Sequence, residues 1–140
     1  MRVVLDADVV IGALDGTDPH HTQARALFVG WEKRDAARMI SVVSLSEVLV
    51  APAADRKRLR AAREAIAALG IATHQPGEAI GVEAARLRGA HPISLPDAYC
   101  LATARYTDGS LASFDDKLLR AAEREGIALT EAAARRPRRR

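Results

Sequence analysis

Short runs of β-branched residues alternate along the chain with longer stretches of helical periodicity, and this alternation limits the possible folds more than any other feature. The predicted strands are residues 2–5, 39–43, 71–74, 110–113 and 127–129. Between them, apolar residues recur at helical spacing. Repeated strand–helix units require crossover connections, which produce a mostly parallel sheet with helices on both faces. We therefore predict an α/β fold with a central sheet of about five strands.

Two helix starts are predicted from local signals. Asp18-Pro19 offers an N-cap followed by a first-turn proline, and Ser44 is expected to open a short helix after the second strand. These starts matter because they fix where the neighbouring polar side chains stand relative to the sheet.

The 140 residues contain no internal repeat and no Gly/Ser-rich linker, so we predict one domain, residues 1–130, followed by an Arg-rich tail, residues 131–140. The formal net charge is +3, but five arginines lie in the last six residues, and the rest of the chain carries −2. We expect the tail to be disordered. It either remains a solvated end or holds phosphates non-specifically.

The sequence contains no signal of export or membrane insertion. No stretch approaches the roughly 20 apolar residues of a membrane span, and Asp6 comes before any signal-peptide apolar region could form. The single Cys100 cannot form an internal disulfide, and its apolar surroundings predict a small buried side chain. We expect a cytoplasmic protein with no membrane partner.

Acidic residues follow three of the predicted strands, and a fourth acid begins a helix. Asp6 ends the first strand, Glu47 follows the second, and Asp115 follows Ser113 after the fourth, while Asp97 heads a largely apolar helix. In parallel sheets the carboxyl ends of the strands meet at one edge, where ligands bind. Converging carboxylates repel one another unless a cation lies between them. Oxygen ligands select Mg²⁺ or Mn²⁺, which activates water for phosphodiester cleavage.

Helix capping offers a simpler explanation for some of these acids. The Ser-x-x-acid pattern of the capping box occurs three times, in Ser44/Glu47, Ser94/Asp97 and Ser113/Asp116. Asp6 matches no such pattern, and a carboxylate at the end of an apolar strand is costly without a partner. Capping and metal binding need not exclude each other.

Four segments resemble the acidic motifs of PIN-domain nucleases, and within that family the VapC toxins of bacterial toxin–antitoxin pairs. They are VVLDADVVI (residues 3–11), SLSEV (44–48), LPDAYCLATA (95–104) and LASFD (111–115). Their order and spacing match over the chain to about residue 130. Each motif alone is weak, and the specificity lies in the ordered set.

The resemblance implies a Mg²⁺-dependent endoribonuclease, with Mn²⁺ as a possible substitute, that cleaves RNA and acts as a toxin. It also implies a homodimer that a cognate VapB-type antitoxin neutralises by covering the active-site groove. The residues matching the family's catalytic, metal-binding acids are Asp6, Glu47, Asp97 and Asp115.

Three further residues match positions around the metal-binding acids. Ser113 corresponds to the small hydroxyl residue that orients the site. Asp8 stands where the family more often has Asn or Ser, and both a ligand role and an indirect contact are open. Of the adjacent pair, we assign Asp115 to the metal and Asp116 to the helix cap or the surroundings of the site.

Two alternatives remain. Asp6-Ala7-Asp8 and Asp115-Asp116 also resemble motifs of haloacid-dehalogenase-like phosphatases, but no lysine stands at a strand end before Asp115, and that family does not explain Glu47. The other alternative is a catalytically inactive PIN-fold module that only binds a partner. A metal-dependent gain in thermal stability would favour the nuclease.

Overall fold

Four parallel strands in the order β3-β2-β1-β4 form the centre of the fold. The structure, a computed structural model, describes residues 1–130, so the predicted tail, residues 131–140, lies outside the described residues. The strands are β1 (Arg2–Leu5), β2 (Ala37–Ser41), β3 (Ile71–His74) and β4 (Ser110–Ala112). The helices are α1 (Ala7–Leu14), α2 (His21–Lys33), α3 (Val42–Leu49), α4 (Arg56–Ala68), α5 (Glu78–Ala90), α6 (Leu95–Thr107) and α7 (Asp116–Arg124), with a 3₁₀ turn at Pro52–Ala54.

The central strand β1 divides the core into two halves. Val3 and Leu5 face a cluster that includes apolar residues of α1, α2, α3 and α4, while Val4 faces a cluster built on α5, α6 and α7. All three side chains are fully buried, which explains why this strand reads as a continuous apolar run rather than an alternating one. Cys100 on α6 is buried as well. The predicted α/β class, with helices on both faces, is confirmed.

The predicted fifth strand does not form. Within residues 1–130, the segment near Leu129 makes only an isolated parallel bridge to Leu111 on the outer edge of β4. Two hydrogen bonds carry it, from Leu111 N to Ala128 O (2.8 Å) and from Thr130 N to Leu111 O (3.0 Å). The sheet therefore has four strands, because this contact ends after a single bridge.

The second strand lies earlier in the chain than predicted. It ends at Ser41, whose Oγ accepts a hydrogen bond from Val43 N (3.3 Å) and caps α3. The β-branched Val42 and Val43 suggested strand, but the serine cap decides the local conformation. Ser44 is thus inside the helix and buried, so its predicted role as a cap for Glu47 is wrong.

The start of the chain also differs from expectation. Helix α1, which the sequence did not predict, follows β1 directly with Asp6 as its N-cap. Helix α2 begins at His21 rather than beside Pro19, and Asp18 Oδ1 instead accepts a hydrogen bond from His20 N (2.8 Å) in the preceding turn. Among the described residues, no helix is both long and apolar enough to cross a membrane.

Candidate metal and active site

The ends of β1 and β4 bring two polar side chains into contact. Leu5 pairs with Ala112, so the next residues, Asp6 and Ser113, meet at the carboxyl edge of the sheet. Ser113 Oγ donates a hydrogen bond to Asp6 Oδ2 (2.7 Å). Asp6 Oδ1 accepts one from Ala7 N (2.7 Å), and Asp6 is only 5% exposed. The carboxylate at the end of an apolar strand is therefore placed by two hydrogen bonds.

Asp115 caps α7, so the predicted assignment of the cap to Asp116 is wrong. Asp115 Oδ1 accepts hydrogen bonds from Lys117 N (2.8 Å) and Leu118 N (3.4 Å). The prediction failed because Ser113 does not cap the helix: its hydroxyl accepts a bond from Asp115 N (3.0 Å) while donating to Asp6. Asp116 is the first residue of α7. Asp115 thus caps the helix and also lies near enough to Asp8 and Asp97 for its charge to raise their pKa values.

Asp6 also turns out to have a local structural role. The sequence offered no capping pattern for it, yet it is the N-cap of the unpredicted helix α1. The expectation that Asp6 has no capping role is therefore wrong. Its burial and its bond to Ser113 carry the case instead.

Asp8 ties α1 to the loop that follows β4. Its Oδ2 accepts a hydrogen bond from Phe114 N (3.0 Å), while Oδ1 is buried and has no hydrogen-bond partner among the described residues. Burial, with Asp115 adding to it, raises the pKa of Asp8 to about 6. A buried carboxylate oxygen without a donor is unusual and is explained by an ion or water.

Asp97 and Glu47 approach the same edge from other helices. Asp97 is in the first turn of α6, where Ser94 Oγ accepts a hydrogen bond from Asp97 N (3.2 Å), so this predicted cap is confirmed. Glu47 stands on α3, which packs against α6. Partial burial raises the pKa of Glu47, and the negative charge of Asp97 raises it further.

The carboxylates repel one another, and no cationic side chain among residues 1–130 forms an ion pair that would balance them. Burial raises the pKa of Asp6 well above its usual value, and the charges of Asp8 and Asp97 add to this. Burial likewise raises the pKa of Asp97, with Asp115 contributing. Within residues 1–130, no lysine or arginine forms an ion pair with these acids. The acids therefore form one electrostatic cluster, which we call the acidic cluster: Asp6, Asp8, Glu47, Asp97 and Asp115.

The donor set of the acidic cluster suits a hard divalent cation. In the part of the chain that the structure describes, no group of three or more His, Cys, Asp or Glu side chains is arranged to hold a metal ion. Mg²⁺ does not require such a group, because it is commonly bound through one or two carboxylates and keeps several waters. The buried, unpartnered Oδ1 of Asp8 and the all-oxygen surroundings fit this mode.

One aromatic contact beside the acidic cluster could not be predicted from the sequence. The imidazole of His20 stacks on the ring of Phe114, with centroids 4.3 Å apart and planes 10° from parallel. Phe114 N donates to Asp8, so the stack lies beside the acids. Phe114 belongs to the LASFD motif, but His20 lies outside all four motifs and far away in sequence, so only the fold brings the two rings together.

The family model of the PIN domain matches residues 3–124. This chain belongs to the PIN domain family. Among solved structures, it is similar to VapC20 from Mycobacterium tuberculosis, described as a sarcin–ricin loop cleaving toxin, with a TM-score of 0.70, 16% identity, and coverage of 86% of this chain and 95% of that chain. FitAcB from Neisseria gonorrhoeae is similar with a TM-score of 0.66, 19% identity, and coverage of 94% and 98%. No curated protein sequence matches the chain.

Membership of the family confirms the predicted resemblance and gives the phosphatase alternative no support. The identities to the two solved structures are low, so these comparisons show a shared fold. The assignment of Asp6, Glu47, Asp97 and Asp115 to a metal remains a prediction that rests on the geometry of the acidic cluster.

Proposed function

We propose that this PIN-domain protein is a Mg²⁺-dependent endoribonuclease, active also with Mn²⁺, that acts as the toxin of a toxin–antitoxin pair. The single observation that carries the proposal is the acidic cluster at the carboxyl edge of the sheet. Asp6 is buried there, and Asp8 has a buried oxygen without a partner. Carboxylates in this state are costly, and a divalent cation would offset that cost.

In the proposed site, Asp6, Glu47, Asp97 and Asp115 would hold the metal, one or two of them directly and the others through its bound waters. When bound, the ion would supply a water of lowered pKa and neutralise charge on the phosphate. Ser113 orients Asp6 by donating to Oδ2, and the cap on α7 fixes Asp115 through Oδ1. Held on helices and strand ends, these carboxylates need little rearrangement to bind substrate.

The helices add a second favourable contribution. Asp6, Asp97 and Asp115 stand at or within one turn of the N-termini of α1, α6 and α7. Helix N-termini carry partial positive charge and stabilise both carboxylates and phosphates. A scissile phosphate at the acidic cluster would therefore lie near three such ends.

The partners follow from the same proposal. VapC20 is described as a toxin that cleaves the sarcin–ricin loop, and by analogy we propose RNA as the substrate, a VapB-type antitoxin as the inhibitor, a homodimer as the assembly and the cytoplasm as the location. A short reading frame immediately upstream of the gene would support the antitoxin. The analogy extends to the class of substrate and not to a particular RNA.

Cleavage of structured RNAs by the purified, partner-free protein tests the proposal. We expect cutting with Mn²⁺ or Mg²⁺, none in EDTA, and a loss of about 100-fold or more in Asp6→Asn and Asp97→Asn. Asp108→Asn is the matched control, because Asp108 is exposed and has a φ of 54°, a conformation that Asn tolerates. Cleavage that survives EDTA or either site substitution would overturn the mechanism.

Thermal unfolding separates the nuclease from the inactive module. A metal bound only by the folded state raises Tm, so Mn²⁺ should stabilise the wild type and Asp108→Asn but have a smaller effect on Asp97→Asn. A module without a metal site would show no shift in any variant and would cut no RNA.

A further inference from the structure

A small basic pocket lies on the outer side of α7, next to the acidic cluster. It has a volume of about 80 Å³ and is lined by His91, Pro92, Lys117, Arg120, Ala121 and Arg124. We call it the α7 pocket. At about 30 Å³ for a water molecule in liquid, the volume suits a phosphate group and is too small for a nucleobase.

The lysine and arginine residues of the α7 pocket carry charge that no acidic side chain among residues 1–130 pairs with. Lys117, Arg120 and Arg124 are exposed and follow one another at spacings of three and four residues, which places them on one helix face. Within residues 1–130, none of the three forms an ion pair, whereas Arg86 and Arg105 nearby are paired with Glu125. The unpaired charges are available to an anion.

A histidine closes the pocket with an unsatisfied nitrogen. The side chain of His91 is 7% exposed, and its Nε2 lies 2.6 Å from Glu125 Oε2. Its Nδ1 is buried and has no hydrogen-bond partner among the described residues. Buried polar atoms are rarely left unpaired. In the protonated imidazole this nitrogen is a donor, and a phosphate oxygen would be a suitable acceptor.

Lys117 of the α7 pocket follows Asp115 of the acidic cluster by two residues. Lys117 N donates to Asp115 Oδ1, so the first basic residue begins where the acids end. From Lys117 to Arg124 the helix rises by about 10.5 Å. This length accommodates neighbouring phosphates of one extended strand, which lie farther apart than the roughly 3.4 Å axial rise of a duplex. A strand whose scissile phosphate lies at the acidic cluster would place its neighbouring phosphates along this face.

We propose that the α7 pocket binds backbone phosphates of the RNA strand, one to three nucleotides from the cleaved bond. This inference rests on the proposed function, because it is the cleavage at the acidic cluster that makes RNA the expected anion. The contact is to phosphate alone, so it positions the strand without reading its sequence.

The test compares two double substitutions that each remove two arginine charges. R120A/R124A removes two of the three exposed cationic side chains of the α7 pocket. R60A/R63A on α4 is the matched control, since those arginines are also exposed on a helix. Binding of a fluorescein-labelled oligouridine to the full chain is measured by anisotropy in EDTA, over a series of KCl concentrations. Under these conditions the RNA is not expected to be cut.

We expect R120A/R124A to bind about tenfold more weakly, as two exposed charge contacts would imply, and its slope of log K against log salt to fall by about 1.4. The control should change the affinity by less than about twofold. R120K/R124K should keep most of the slope, because lysine retains the charge. Equal losses in the two alanine pairs would show a bulk charge effect and overturn the proposal.

Two other outcomes would also overturn it. If R120A/R124A binds oligouridine as the wild type does but binds polyglutamate less well, the α7 pocket serves an acidic protein segment instead. If the wild type cleaves RNA with Mn²⁺ and R120A/R124A does so with an unchanged KM, the proposed function stands and the pocket inference fails. A wild type that does not cleave, with the binding loss intact, would reject the nuclease and keep the phosphate site.

Discussion

Replacing Asp8 with asparagine should stabilise the metal-free protein. Asp8 Oδ2 accepts a hydrogen bond from Phe114 N, and Oδ1 is buried without a donor among the described residues. Burial raises its pKa to about 6, and the charge of Asp115 contributes to the rise. At neutral pH without metal, the folded protein therefore holds an ionised carboxylate in an unfavourable environment.

The structure gives the size of this effect. A rise in the pKa from 3.8 to about 6 corresponds to roughly 3 kcal/mol at 1.36 kcal/mol per pKa unit. Asparagine keeps an oxygen acceptor for Phe114 N and replaces the other carboxylate oxygen with an uncharged NH₂ group. Burying that amide lowers the free energy of unfolding by about 1 kcal/mol. We expect a net gain of about 2 kcal/mol in the free energy of unfolding.

The pH dependence identifies the cause. Because the folded pKa of Asp8 lies above the unfolded value, the penalty is absent below pH 3.8, grows between pH 3.8 and about 6, and is complete above. Denaturant unfolding in EDTA, followed through the fluorescence of the buried Trp31, measures it. Asp8→Asn should be up to about 1 kcal/mol less stable than the wild type at about pH 4 and below, and more stable at neutral pH, while Asp108→Asn should show no such change with pH. A gain that is equal at both pH values, or no gain at neutral pH, would refute the reasoning.

Two further substitutions test how the fold supports the sites. Ser113→Ala removes the donor to Asp6 Oδ2 and should lower the free energy of unfolding by about 1–3 kcal/mol; denaturant curves that coincide with the wild type would contradict this. Glu125→Gln weakens the ion pairs with Arg86 and Arg105 and should cost about 1–2 kcal/mol at neutral pH. Since hydrogen bonds from Arg86 and then His91 lower the pKa of Glu125 to about 2, the difference from the wild type should vanish as the pH falls from 4.5 towards 2. A difference that persists at the acid end would indicate lost packing instead.

The sequence predicts the layers of this fold because each half of the core has its own periodic signal. Val3, Val4 and Leu5 form a continuous apolar run, which is typical of a strand that is buried on both faces. Helices α4 and α5 form where apolar residues recur at helical spacing, for the same reason. Apolar periodicity reports on burial, and burial decides where these elements pack.

Boundaries and short elements are less predictable because they depend on single hydrogen bonds. Val42 and Val43 have strand propensity, yet they begin α3 because Ser41 caps it. The final bridge at Leu129 has the composition of a strand, but pairing stops after one contact with β4. Local composition cannot determine which of two compatible hydrogen-bond partners is in reach.

In the candidate site, capping a helix and binding a metal are not mutually exclusive roles for a carboxylate. Asp6 and Asp115 each cap a helix through Oδ1. Ser113 bonds to both residues, to Oδ2 of Asp6 and to the backbone N–H of Asp115. A cap fixes one oxygen of a carboxylate against a helix N-terminus, and the packing of that helix on the sheet then directs the second oxygen. The helix caps are therefore part of what builds the acidic cluster, because helices that begin at this edge of the sheet bring the acids at their N-termini to one place.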